Sequence, residues 1–261
     1  MGTVAEKLEY LNDTKVAIRN AIEGKGGNVE DNDTFRSYAN KITNLVAPEV
    51  NTIKGLIQGD CANLVIPEGT TTIRSYAFYR YANPITITMP NSVTTLENFC
   101  FMSCSGLTAI TLSNQIQNIP SQAFNGTNLT SIVIPDSVTT MEYGAFMGCS
   151  NLTNVTLSKN LTNISGQAFS QCSKLTNLEI PNSVTTIENS VFSYGYQLKT
   201  IHIPASVTSI NSNAFSSCGL TSIYVDKPNN GIAGCPWGAT SATVYWNDGT
   251  KREPLLDDIL G

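Results

Sequence analysis

The sequence predicts a repeat solenoid of stacked coils preceded by a pair of α-helices, and three observations predict it. Phenylalanine recurs at Phe78, Phe101, Phe124, Phe146, Phe169, Phe192 and Phe215, in steps of 22 or 23 residues. Twelve residues ahead of each stands an apolar residue, at Ile66, Met89, Leu112, Ile134, Leu157, Ile180 and Ile203, and two residues earlier again runs a second apolar column from Leu64 to Ile201. Residues 1 to 47 lack this period and carry helical spacing instead. A fixed period of this size marks a repeat architecture, because one coil cannot bury its apolar edge alone and must stack on its neighbours.

Within one unit, Leu175 to Pro181 alternates, so that Leu178 and Ile180 face one side and Glu179 the other, which predicts a short strand. Pro181 removes a backbone donor and turns the chain with Asn182 and Ser183. Val184 and Ile187 then return apolar groups inward in a second extended segment. Ala168 and Cys172, four residues apart in an Ala-Phe-x-x-Cys run, share a face if that run is helical, so one helical or 3₁₀ turn is expected to close each coil. Eight coils at about 4.7 Å make an array about 35 to 40 Å long. Ser113 and Ser158 replace the corner proline in the third and fifth units, which suggests tolerance there.

These columns, Leu-x-x-Ile-x-Ile-Pro-x-Ser-Val-Thr-x-Ile-x-x-x-Ala-Phe-x-x-Cys, resemble the BspA-like leucine-rich repeat over residues 61 to about 225. The resemblance implies a right-handed solenoid of the kind found in bacterial surface proteins, adhesins and phage-associated proteins, usually non-enzymatic and devoted to binding.

The solenoid is expected over 61–246, with a carboxyl-terminal cap from about 226, where Pro228, Gly231, Gly234 and Pro236 interrupt the repeat and Trp237 covers the last coil. The Gly-Cys-Pro-Trp-Gly-Ala run resembles a terminal segment of BspA-like proteins of phage and prophage origin. Residues 48–60 read as a linker and 247–261 as a polar tail with Leu255, Leu256, Ile259 and Leu260. Within 1–47, Val4, Leu8, Leu11, Ile18 and Ile22 line one helix, stopped by Gly24, Gly26 and Gly27, and Phe35, Tyr38, Ala39, Ile42 and Leu45 line a second. So short a pair is marginal alone, so its stripes pack on the first coil as a cap or on another chain as an attachment or oligomerisation module. Runs such as Asn12 to Lys15 and Asp33 to Ile42 resemble an amino-terminal helical module of phage tail and fibre-like proteins.

Composition narrows the function. Charged residues are 13% of the chain, against roughly 25% in an average domain. Fifteen Lys and Arg against twenty Asp and Glu argue against a nucleic-acid partner. No run approaches the roughly 18 apolar residues that span a bilayer, so no membrane insertion is expected, and the first residues do not read as a secretory leader.

The sequence offers no catalytic or metal-binding constellation. Cys104, Cys149, Cys172 and Cys218 each follow the repeat Phe by three residues, which makes them a packing column of free thiols; Cys149 and Cys172, on adjacent coils, are the one pair placed for a bridge. Cys61 and Cys100 take core places of their own. His202, the single histidine, points outward between Ile201 and Ile203, away from the thiol column, which argues against a Cys–His pair. Glu97, Glu142 and Glu188 share a turn column and read as solvated or capping groups. Asp31 and Asp33 lack the rest of a calcium loop. The Asn-x-Ser/Thr triplets from Asn128 to Asn163 follow from the repeat itself. The expectation is therefore a non-enzyme without cofactor or metal.

What remains is surface. The outward strand column runs Val65, Thr88, Thr111, Val133, Thr156, Glu179, His202 and Tyr224, and from it Thr88, Thr111, Thr156, Glu179, His202 and Tyr224 are the candidate binding residues. Threonine also simply suits an exposed strand, so the column has a structural reading beside the functional one. Tyr76, Tyr79, Tyr81, Tyr194 and Tyr196 form a second candidate surface. The expected function is a binding or structural protein of a phage or prophage virion, joined to itself or to other virion proteins through residues 1–47, with the solenoid meeting a host-surface glycan or protein. The alternative is a bacterial cell-surface adhesin of the same repeat class.

Overall fold

The computed structural model describes residues 63–229 and 231–254; the expected helical pair over 1–47, the linker over 48–60, Cys61 and the tail from 255 lie outside the described residues. The strands, numbered along the chain, fall into two rows. The first row comprises β1 (Asn63–Val65), β3 (Ile85–Thr88), β5 (Leu107–Thr111), β7 (Ser131–Val133), β9 (Asn154–Thr156), β12 (Thr200–Ile203), β14 (Ser222–Val225) and β15 (Thr243–Trp246). The second comprises β2 (Thr72–Ile73), β4 (Thr95–Leu96), β6 (Asn118–Ile119), β8 (Thr140–Met141), β10 (Asn163–Ile164), β11 (Thr186–Ile187) and β13 (Ser209–Ile210).

Pairing is parallel and one repeat apart, with Leu64 opposite Ile87 and Ile87 opposite Ile110 in the first row, and Ile164 opposite Ile187 and Ile187 opposite Ile210 in the second. The inward residues of both rows close one continuous core along the coils. Down its centre the seven phenylalanine rings are stacked, from Phe78 on Phe101 at 4.9 Å to Phe192 on Phe215 at 5.6 Å, with their planes nearly parallel throughout. Such stacking adds to the burial of large aromatic area in each coil. Polar columns bind the coils outside the core: the hydroxyls of Thr162, Thr185 and Thr208 each donate to the carbonyl of Thr139, Thr162 and Thr185 on the coil before, at 3.2–3.3 Å.

The expected helical or 3₁₀ closing turn does not form; no helix occurs among the described residues. The chain around Phe78 shows why. Ala77, Tyr79 and Tyr81 donate backwards within the coil, three residues each, to Arg74, Tyr76 and Phe78. The N–H groups between them, of Phe78 and Arg80, instead donate to Cys100 and Met102 on the next coil. A helix would keep every donor for its own i−4 carbonyl, whereas here alternate donors knit the coils together. The price is a left-handed residue two before and two after the Phe: Tyr76 (φ 62) and Arg80 (φ 55), Gly144 (φ 62) and Gly148 (φ 70), Gln167 (φ 57) and Gln171 (φ 61).

Ser113 and Ser158 do more than tolerate the corner. Both are fully buried, and each hydroxyl accepts from a backbone N–H two residues on, Gln115 and Asn160, at 3.1 Å. This is a serine turn standing in for proline's fixed φ. Each of these coils is also followed by a break in the first row, between β5 and β7 and again after β9.

The second break corrects the strand expected at Leu175 to Pro181. Leu178 and Ile180 are buried and Glu179 is exposed, as the alternation requires, yet the segment makes only one isolated bridge, Asn177 to Asn154. At the carboxyl end the repeat runs further than the phenylalanines show. Trp237 lies twelve residues after Val225, is fully buried and packs edge-on against Phe215 at 6.4 Å, so its ring fills the phenylalanine place of a further coil. The backbone is shifted there, because the Phe215 N–H donates to Trp237 itself at 3.0 Å, where each earlier Phe donates to the residue before the next ring. β15 then adds parallel to β14, and β16 (Lys251–Arg252) turns back antiparallel on β15 to cover its edge.

Candidate functional site

The repeat delivers one outward residue per coil to the middle of the first row. Val65 lies opposite Thr88 and Thr88 opposite Thr111; Val133 lies opposite Thr156; His202 lies opposite Tyr224. All six candidates, Thr88, Thr111, Thr156, Glu179, His202 and Tyr224, are exposed. Thr88 and Thr111 sit together at the amino-terminal end, apart from the others.

The carboxyl-terminal half of the column is aromatic. The His202 ring stacks on Tyr224 at 5.0 Å, and Tyr224 on Tyr245 at 4.9 Å, with the planes within 13°. Tyr245 is a member of this surface that sequence reasoning missed; its 21-residue step from Tyr224 is the signal that places it. His202 Nδ1 also lies 4.0 Å from the Asp226 carboxylate.

Beside this ladder, the break in the row opens two grooves with Glu179 between them. One, of about 670 Å³, runs between Thr156 and Glu179 and is lined by Asn154, Lys159, Asn177 and Asn182. The other, of about 450 Å³, runs between Glu179 and His202 and includes Asp226. Lys159 is engaged elsewhere: its ammonium lies 3.6 Å from Asp136, and its backbone N–H donates to that carboxylate at 3.0 Å and holds it below the usual range. Glu179 makes no hydrogen bond or ion pair among the described residues, and neither its backbone nor that of Ile180 finds a backbone partner.

The tyrosines occupy the turn corner. Tyr76 stacks on Phe99 at 5.2 Å, the Arg80 guanidinium lies over Tyr79 at 5.1 Å, and Tyr194 meets Tyr196 edge-on at 6.3 Å. The thiols of Cys100, Cys104, Cys149 and Cys172 are interior, and Cys218 and Cys235 are half-buried. Cys149 and Cys172 are free rather than bridged, donating to the carbonyls of Phe124 and Phe146 at 3.1 and 3.2 Å. Burial pushes the Cys149 thiol up to about 11 and Cys100 up to about 12, which keeps both un-ionised and poor nucleophiles. The turn-column acids cap across coils: Glu97 accepts from the Ser75 N–H at 2.8 Å, which holds its carboxyl below the ordinary range, and Glu142 accepts from the Ser121 N–H at 3.0 Å. The described residues hold no group of three metal-ligating side chains and no helix long and apolar enough to cross a membrane.

Parallel strands one repeat apart, an internal phenylalanine stack and recurrent corner turns define a leucine-rich-repeat solenoid. The model of the BspA type leucine rich repeat region matches residues 31–149 and 117–235, and the chain belongs to that family. No curated protein matched the chain. Among solved structures, it is similar to a leucine-rich cell surface protein of Faecalibacterium prausnitzii, at 25% identity and TM-score 0.48 over 65% of this chain and 61% of that one. A leucine-rich repeat protein of Bacteroides ovatus matches at 21% identity and TM-score 0.45, over 70% of this chain and 63% of that one. One of T. pallidum matches at 20% identity and TM-score 0.45, over 67% of this chain and 77% of that one. The chain thus spans less than two thirds of the first two proteins.

Proposed function

We propose that the protein is a non-enzymatic recognition protein of the bacterial cell surface, whose solenoid presents its first strand row to a glycan or protein of a host. The observation that carries this reading is the outward column: exposed from Val65 to Tyr224, low in charge, and rich in hydroxyl and aromatic groups that face outward while the inward side of each coil is committed to the core. Buried, un-ionised thiols and a histidine stacked on a tyrosine favour binding over catalysis. Membership of the BspA-type family, which includes surface proteins and adhesins, supports the location.

The surface role is preferred to the virion role on the strength of the family match. Immunogold labelling of intact producing cells, together with fractionation after prophage induction, tests the choice. Label on the cell envelope is the expected result; label confined to released particles overturns it.

A further inference from the structure

We infer that the break at residues 175–181 is a saccharide-binding cleft centred on Glu179. The inference deepens the recognition reading above and rests on it. Everywhere else the outward column either sits in a paired strand or stacks on a neighbour. At Glu179 an unpartnered carboxylate, unpaired backbone donors and acceptors, and two grooves coincide.

The opening lies only at the surface. Leu178 and Ile180 remain buried at 3% and 7% exposure, so the coil still fills its place in the stack and leaves no slot for an inserted peptide strand. A ligand therefore approaches from outside and lies across the row. Asn177 and Asn182 supply amides that both donate and accept, while Glu179 only accepts. His202 ends the aromatic stack, so the ring face turned away from Tyr224 borders the groove shared with Glu179. A pyranose matches this set: adjacent hydroxyls that donate to a carboxylate and exchange hydrogen bonds with amides, and an apolar C–H face that lies on a flat ring. Ligand sites commonly pair an apolar contact with a few placed polar groups in this way.

The test uses the full chain on an array of neutral and acidic host-type oligosaccharides, on intact epithelial cells, and on the same cells after periodate has cleaved their vicinal diols. The expected result is array binding, and cell binding lost after periodate. Glu179→Gln and His202→Ala, both at exposed positions, are each expected to weaken the affinity about tenfold or more, while Glu68→Gln on the first coil leaves it unchanged. Saccharide binding that survives both cleft variants overturns the cleft and leaves the recognition reading standing. Cell binding that survives periodate, with no array signal, overturns the saccharide and again leaves recognition standing. No binding to array or cells overturns both.

Discussion

The Glu188 carboxylate accepts a hydrogen bond from the Gly166 N–H at 2.9 Å, although the two residues are 22 positions apart and on different coils. Its other oxygen accepts from the Asn163 amide at 2.6 Å. One side chain thus ties the corner of one coil to the next. Charge-assisted bonds of this kind contribute about 1.5–3 kcal/mol when partly shielded from water, so Glu188→Ala is expected to lower unfolding free energy by about that amount. Chemical denaturation of the two proteins measures it, and an unchanged midpoint contradicts the capping role.

Trp237 closes the aromatic column against Phe215 and donates from Nε1 to the Ala233 carbonyl at 2.7 Å. Trp237→Ala is expected to cost about 3–5 kcal/mol through the cavity left at the last coil. Trp237→Phe keeps a ring in the column and is expected to cost clearly less. Equal melting temperatures for the two variants show that the position is not part of the stack.

The left-handed column at the corner predicts opposite responses at equivalent places. Gly148 (φ 70) gains a Cβ in Gly148→Ala and is expected to lose about 1 kcal/mol. Gln171 (φ 61) holds the same place one coil on, and Gln171→Gly relieves that backbone and is expected to be neutral or stabilising. Thermal melts of both variants decide, and destabilisation by Gln171→Gly alone contradicts the assignment.

The buried thiols make stability fall in alkali. An ordinary thiol ionises near pH 9, and burial raises Cys149 to about 11 and Cys100 to about 12. Unfolding exposes both, so their contribution is complete below pH 9 and declines as the pH climbs towards those raised values, because only the unfolded chain then sheds the proton. Denaturant midpoints between about pH 8 and pH 10 are expected to fall, and to fall less steeply in Cys149→Ala. A slope unaffected by that change contradicts the attribution.

Columns were legible in the sequence wherever side-chain volume alone decides the outcome. Phe78 to Phe215, Ile66 to Ile203 and the thiols each fill a place that water cannot share, so the 22- to 23-residue step reveals them. The outward positions of Glu179, His202 and Tyr224 follow from strand alternation for the same reason. Backbone-controlled features were not legible. Ala-Phe-x-x-Cys suits a helix locally, and only the neighbouring coil, by taking alternate donors, forces the left-handed corner. Gly144 and Gly148, two on each side of Phe146, were the trace of it. Ser158 reads as a mild substitution for proline, yet the row opens directly after its coil. Trp237 reads in the sequence only as a cover for the last coil, because a different aromatic residue occupies the phenylalanine place inside a stretch rich in glycine and proline.

In a solenoid of this kind each coil depends only on its immediate neighbours. Deleting one whole coil, the 22 residues from Phe124 to Ala145, brings Phe146 into the place of Phe124 with every column in register. Circular dichroism and a denaturant titration of the shortened chain measure the consequence. A protein with the same β-type spectrum and a cooperative transition at slightly lower denaturant is the predicted result. A chain that is unfolded, or that melts without cooperativity, contradicts the stacked-coil fold on which the binding face depends.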